Sequence, residues 1–293
     1  MKRRIVQIFS ALLHNGYLAG FVSSRIYTGS LKGICAPGLN CASCPAATFA
    51  CPFGMLQNTI ASWRVLKLKD FLAIAGYVLG FLFFYGLLFG RFVCGWLCPF
   101  GLLQELLYKV PFYKKRLVLP KNLQRIPKYV FLFLFGILLP ALVISVTFYG
   151  EPWFCKYICP AGTLEAGIGN LLINPALRSF IGWIFIFKLF LLFLIIIACL
   201  VEKRFFCKNL CPLGLFYGFF NRFSLIQIQF EEKNCINCGA CQKICTMNID
   251  PKTERNSVEC IRCLECVEVC PSKALSLRLV YNETIDKAQQ TGA

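Results

Sequence analysis

The sequence predicts an all-α membrane bundle of four transmembrane helices, arranged as parallel two-helix repeats, followed by a small cysteine-rich α+β domain. Three observations carry this. Mean hydropathy is +0.63 and 57% of the 293 residues are hydrophobic, outside the soluble range. The excess lies in runs of about 20 apolar residues, long enough to cross a hydrocarbon layer. The 19 cysteines are patterned: eight form two copies of one spacing after residue 230, and most others fall in a short cysteine–proline motif that recurs along the chain.

The first apolar run, residues 5–22, is the weakest, because it carries Gln7, His14 and Asn15. Lys2, Arg3 and Arg4 precede it as they would a signal peptide, but no small-residue cleavage site follows, so it reads as an uncleaved helix. Residues 71–90, 129–149 and 180–201 are stronger spans. The chain then divides into a first membrane half (1–108), a basic linker (109–128), a second membrane half (129–224), the C-terminal domain (225–281) and a polar disordered tail (282–293).

A formal net charge of +17 invites a nucleic-acid reading, which the distribution excludes. Residues 230–280 hold seven acids and seven bases. The surplus lies beside the spans, where the positive-inside rule accounts for it. Arg91, Lys109, Lys114, Lys115, Arg116, Lys121, Arg125 and Lys128 separate the second and third spans, whereas Lys156 and Arg178 alone separate the third and fourth. Lys203, Arg204, Lys208 and Arg222 follow the fourth. Both termini are therefore expected on the cytoplasmic side of the cell membrane, although Arg64, Lys67 and Lys69 in the outer loop run against the rule.

The C-terminal spacing is Cys235-x2-Cys238-x2-Cys241-x3-Cys245 and Cys260-x2-Cys263-x2-Cys266-x3-Cys270-Pro271. It matches the arrangement that holds two [4Fe–4S] clusters, with each fourth cysteine serving the other cluster. One set is then Cys235, Cys238, Cys241 and Cys270, and the other Cys260, Cys263, Cys266 and Cys245. Zinc favours paired C-x2-C or mixed Cys/His sites instead. Residues 230 to 280 resemble the bacterial-type 2[4Fe–4S] ferredoxin domain, with Thr246 in place of the usual proline.

The second motif appears in full as Cys94-Gly95-Trp96-Leu97-Cys98-Pro99, Cys155-x3-Cys159-Pro160 and Cys207-x3-Cys211-Pro212, and in part as Cys51-Pro52. Cysteines at i and i+4 share a helical face, and proline suits the first turn of a new helix. Each motif reads as a helix break that offers thiolates at the N-terminus of a following surface helix, whose free N–H groups favour an anion. Arg91, Lys156, Lys203 and Arg204 beside the motifs would offset the cluster's negative charge. Two cysteines are half a site, so motifs must pair. The inner pair is Cys94 and Cys98 with Cys207 and Cys211. The outer site takes Cys51, Cys155 and Cys159, with Cys44 as the expected fourth ligand, since Ala47 stands where the repeat would place a cysteine. Cys35 and Cys41 are left as a disulfide or as further ligands.

These motifs, the spans and the C-terminal domain resemble the NapH/NosR group of polytopic membrane iron–sulfur proteins, over about residues 70 to 275. The resemblance implies single-electron transfer between quinols, ferredoxins or flavoproteins and other redox partners. The extra outer cysteines favour a path across the membrane. The chain reads as one subunit of a redox system with no catalytic constellation of its own. Its partners would be a flavoprotein, a reductase or a soluble ferredoxin. The rival readings are a quinol dehydrogenase subunit, with a quinone near His14, and a redox-sensing or assembly protein. A lone histidine excludes bis-histidine haem, and Cys199 reads as packed core.

Overall fold

The computed structural model describes residues 2–115, 120–143 and 149–279. The tail 282–293 and residues 144–148 of the third predicted span lie outside these. Four helical stretches are long and apolar enough to cross a membrane: Arg3–Ser23, Leu68–Phe89, Leu123–Leu142 and Trp183–Val201. Only 17–22% of each one's most apolar stretch is buried. The outward faces carry large side chains such as Phe84, Phe133 and Phe193, a surface suited to lipid.

Two spans differ from the sequence reading. The first is not one continuous helix, because Lys2–His14 ends at the histidine and Ala19–Ser23 resumes after a non-helical stretch. The freed His14 carbonyl accepts from the Thr48 amide and hydroxyl, each at 3.0 Å, so a distant loop replaces the lost helical bonds. The third span starts earlier than predicted. Lys121–Tyr129 leads straight into Val130–Leu138, whose wide turns bond five residues back, and the helix runs on to Leu142. Lys128 is tolerated inside it because its ammonium pairs with Glu259 of the C-terminal domain.

The helices that follow the cysteine–proline motifs are not surface helices. Pro99–Leu107 packs against the fourth span and against Lys2–His14, Pro212–Phe219 against the second span, and Pro52–Ala61 against the third. Each of these three packs within its own half as well as across to the other, while Gly162–Ile168 packs on the fourth span of its own half; apolar faces are buried, with Phe53, Phe100, Leu213 and Leu215 all at most 3% exposed.

In the C-terminal domain β1 (Ile226–Phe230) pairs antiparallel with β2 (Leu275–Leu279) in the register Ile228 to Leu277. Two short helices, Ala240–Ile244 and Glu265–Glu268, begin inside the cysteine loops. The domain sits on the bundle through Asn221, whose amide donates to the Ser257 and Cys260 carbonyls at 2.7 Å each. The Trp96 indole donates to the Arg262 carbonyl at 3.0 Å. Gly95 is required at this contact, because a Cβ there would lie 2.4 Å from the Ile261 carbonyl oxygen.

Gly95→Ala should therefore loosen the domain by about 1–3 kcal/mol and speed its release by limited proteolysis. Gly76→Ala, at a position with nothing within 4 Å, should digest as the unaltered protein does.

Candidate metal centres

The four cysteines that end the cysteine–proline motifs of the membrane part share one local structure. Cys51, Cys98, Cys159 and Cys211 are extended, with φ between −75° and −59° and ψ between 113° and 125°, and the proline opens the next helix. In the three full copies the second cysteine's amide bonds five residues back: Cys98 to Val93 at 3.1 Å, Cys159 to Phe154 at 2.8 Å and Cys211 to Phe206 at 2.9 Å. The glycine three residues on donates to the sulfur, at 3.4 Å for Gly162 to Cys159 and for Gly214 to Cys211. The sulfur thus takes the place of an N-cap oxygen, where the free amides stabilise negative charge.

The inner set is assembled by exchange between halves. The spacing Arg-x2-Cys-x3-Cys-Pro-x-Gly occurs twice, from Arg91 and from Arg204. Arg91 Nη2 donates to the Cys207 carbonyl at 3.0 Å, and Arg204 Nη1 donates to the Cys94 carbonyl at 2.6 Å. A Cβ on Gly214 would meet Arg91, and one on Gly101 would meet Arg204, at 3.0 and 3.3 Å. Both guanidiniums are fully buried. Arg91 pairs with Glu259 at 3.1 Å and Arg204 with Glu105 at 2.7 Å. Glu259 also takes Lys128 and lies 3.5 Å from Arg125, while Arg3 joins Glu105 to Glu265, which also pairs with Lys203. Cations outnumber carboxylates in both patches, leaving positive charge beside the four cysteines. Gln104 completes the surround: its amide donates to Cys207 Sγ at 3.0 Å, and its carbonyl accepts from the Phe206 and Cys207 amides.

The outer set has the same aromatic framework. Phe53 meets Phe154 edge-on at 5.3 Å and 85°, and Phe100 meets Phe206 in the inner set at 5.4 Å and 86°. Cys51, Cys155 and Cys159 line one cavity of about 580 Å³ together with Cys41, Lys156 and Lys188. Cys44 is absent from this lining and packs with Ala46 and Ala47, a cluster that Cys41 also borders. Glu165 is half-buried, accepts from the Cys41 amide at 2.6 Å, and has its carboxyl pushed up to about 7 by desolvation.

In the C-terminal domain the two crossed sets surround two separate cavities. Cys245, Cys260, Cys263 and Cys266 line one, and Cys235, Cys238, Cys241 and Cys270 line the other. The two loops repeat each other residue by residue. Asn237 and Arg262 precede the second cysteine with φ of 54° and 48°, and Gly239 and Leu264 follow it at 70° and 63°. Three residues past the last cysteine, Asn248 and Lys273 stand at 55° and 53°. Left-handed backbone at Arg262, Leu264 and Lys273 costs about 1–2 kcal/mol per residue, so the loops are held in this shape against their own preference.

The donor chemistry fits iron–sulfur clusters. Burial pushes the Cys94, Cys98 and Cys211 thiols up. It does the same to Cys51, Cys155 and Cys159, and takes Cys41 and Cys260 to about 12. Grouped buried thiolates need a positively charged core among them. No three His, Cys, Asp or Glu side chains gather around a single-ion site among the described residues. All 19 cysteines are free thiols. Cys35 and Cys41 face different neighbours: the Cys35 thiol donates to Met55 Sδ at 3.3 Å, while Cys41 Sγ lies beside Gly162. Cys199 packs in the core against Gln104. The His14 ring meets Ser10 Oγ at 3.3 Å and the edge of Phe49, and lines none of the described cavities.

Motif reading places Arg91 and Arg204 beside the cysteines as counter-charge but misses that each bonds the opposite half. Their signal was present in the repeated position three residues before the first cysteine.

Comparison with known proteins agrees with this chemistry. A family model described as a 4Fe-4S binding domain matches residues 48–69, 71–120, 132–178 and 175–228, more than half of the chain, and each segment holds one cysteine–proline motif. A second model of the same description matches residues 254–276. An uncharacterized protein of Methanocaldococcus jannaschii is 32% identical over 236 residues, 80% of this chain and 88% of that protein. The putative electron transport protein YccM of Escherichia coli is 29% identical over 63% of this chain and half of its own length. The regulatory protein NosR of Stutzerimonas stutzeri is 32% identical over 61% of this chain and 23% of its own. No solved structure matches the chain.

Replacing Arg204 by Met would leave Glu105 short of its main partner in a buried site, at a cost of about 3–5 kcal/mol. Thermal unfolding in detergent should show a large loss of stability for Arg204→Met and for Arg91→Met. Arg204→Lys, which keeps the charge but not the fork, should fall between these and the unaltered protein.

Proposed function

Because the chain belongs to the 4Fe-4S binding-domain family, we propose that this membrane electron-transfer protein carries single electrons along four cysteine-lined sites arranged in series. The carrying observation is the contiguity of those sites. The outer set, with Cys51, Cys155 and Cys159, draws its fourth ligand from the loop that holds Cys41 and Cys44. Leu39 of that loop donates its amide to Cys98 Sγ of the inner set at 3.4 Å. The inner set, Cys94, Cys98, Cys207 and Cys211, adjoins the C-terminal domain where Gly95 touches Ile261, with Cys263 Cα 3.7 Å from a Cβ placed on Gly95. Cys263 lines one cavity with Cys245, Cys260 and Cys266, and the short helix that carries Cys266 packs against the one that carries Cys241 of the last set. The last set is reached from solvent, since Cys238 is exposed.

A [4Fe–4S] cluster, when bound, takes up and releases one electron at a potential set by its surroundings. The protein supplies those surroundings: buried guanidiniums, helix N-termini and the Gln104 amide lower the cost of negative charge at the inner set. The parallel two-helix repeat is supported by the exchanged packing of the helices and by the matched Phe53–Phe154 and Phe100–Phe206 pairs. Location in the cell membrane, with the C-terminal domain in the cytoplasm, rests on the basic stretch between the second and third spans. A soluble ferredoxin, flavoprotein or reductase would then meet the exposed Cys238 end. The quinone-oxidising alternative loses its support at His14, which is enclosed by Ser10, Phe49 and the Thr48 loop.

Anaerobically purified protein should carry about sixteen irons per chain, four for each of four cubanes. Cys98→Ala and Cys211→Ala should delete the same EPR component, and the double replacement should lose little more iron than either single one. A count near eight, unchanged by these replacements, would leave clusters in the C-terminal domain alone. Reporter fusions after Lys114 and after Gly169 should fall on opposite sides of the membrane; a shared side contradicts the topology.

A further inference from the structure

We infer that Cys41 is the fourth thiolate of the outer site, and that residues 38–41 tie this site directly to the inner one. The inference rests on the outer set being a metal site, and it selects the residue that completes it.

The two membrane sets correspond position by position. Cys51 matches Cys98, Cys155 matches Cys207 and Cys159 matches Cys211, each in the same backbone conformation or beside the same edge-on phenylalanine pair. What lacks a counterpart is Cys94, four residues before Cys98. Four residues before Cys51 stands Ala47, which cannot ligate. Cys41 fills the gap in space. The glycine behind each outer cysteine–proline step faces a sulfur from the other half: a Cβ on Gly54 would lie 3.7 Å from Cys155 Sγ, and one on Gly162 would lie 3.8 Å from Cys41 Sγ. Cys41 and Cys155 therefore occupy equivalent places across the halves. Cys41 also lines the cavity, which Cys44 does not.

The same loop reaches the inner set. A Cβ on Gly38 would lie 2.7 Å from Cys98 Cα and 3.3 Å from its sulfur, so the backbone passes against that cysteine where only glycine fits. Leu39 then donates its amide to Cys98 Sγ at 3.4 Å. Two residues of chain span at most about 7 Å, so the Cys41 backbone lies within about 10 Å of a ligand of the other site. Leu39 and Asn40 form a short covalent run between the two ligand sets. The half-buried Glu165 carboxylate, accepting from the Cys41 amide, fixes the far end of that run.

The test uses full-length protein purified anaerobically, with iron content and EPR of the reduced state as readouts. Cys41→Ala should lose about four irons and the EPR component that Cys155→Ala also removes, whereas Cys44→Ala should keep both. Gly38→Ala should shift the component that Cys98→Ala deletes, leaving the C-terminal signals unchanged. Retention of the outer component in Cys41→Ala, or its loss in Cys44→Ala, overturns the assignment of Cys41. If Cys155→Ala removes neither iron nor signal relative to the unaltered protein, the outer metal site itself is overturned, which is a distinguishable result.

Discussion

Everything in this structure hangs on two buried arginines that each belong to one half and bond the other. Arg91 and Arg204 stand three residues before the first cysteine of their own motif, yet each donates to the carbonyl of the first cysteine in the opposite motif. A guanidinium with no access to water needs its donors filled. The exchange fills the Nη donors with the backbone of the inner cysteines and with carboxylates, although Arg91 Nε stays without a partner, so the two halves cannot separate without exposing the four inner cysteines and stranding two buried cations. The carboxylates that balance the arginines extend the constraint outward. Glu105 links to Arg3 at the N-terminus, and Glu259 brings in the C-terminal domain and Lys128 of the third span. Two ion-pair networks, one through each arginine, thus set the position of the first span, the third span, the inner site and the C-terminal domain.

The networks also bear on electron transfer. Four grouped thiolates in a low-dielectric bundle are unfavourable unless positive charge is close. Here each guanidinium meets its carboxylate and the cysteine backbone through different nitrogens, Arg91 through Nη1 and Nη2 and Arg204 through Nε and Nη1. The outer site is built differently. Its cavity is lined by Lys156 and Lys188 and bordered by Glu165, with no arginine in the place that Arg91 or Arg204 takes. Sites with the same backbone and different charge surroundings hold an electron with different ease, which gives a series of sites a direction without any change of fold.

Local spacing made part of this legible from sequence. The crossed cysteine sets of the C-terminal domain could be read because the two loops carry the same short spacing and fold with matching left-handed residues at Asn237 and Arg262 and at Gly239 and Leu264. The cysteine–proline step could be read because proline both ends one helix and starts another. Long-range pairing could not. Glu105 and Arg204 are 99 residues apart, and Arg91 and Glu259 are 168 apart; nothing local assigns one to the other. For the same reason Arg91, Lys128, Arg204 and Lys208, counted as loop charge under the positive-inside rule, are buried ion-pair partners. The third span begins early because Lys128 finds Glu259 in a separate domain. Cys41 rather than Cys44 reached the outer cavity because the loop from residue 38 is steered by its passage against Cys98, a tertiary contact with no sequence period.

The central claim is that exchange between the halves closes four membrane cysteines around one iron site. Anomalous scattering at the iron edge, from crystals of anaerobically prepared protein, tests it most directly. The account expects a strong iron peak enclosed by Cys94, Cys98, Cys207 and Cys211, with Arg91 and Arg204 on either side. Iron density confined to the C-terminal domain, with these four cysteines empty or holding another metal, would contradict it.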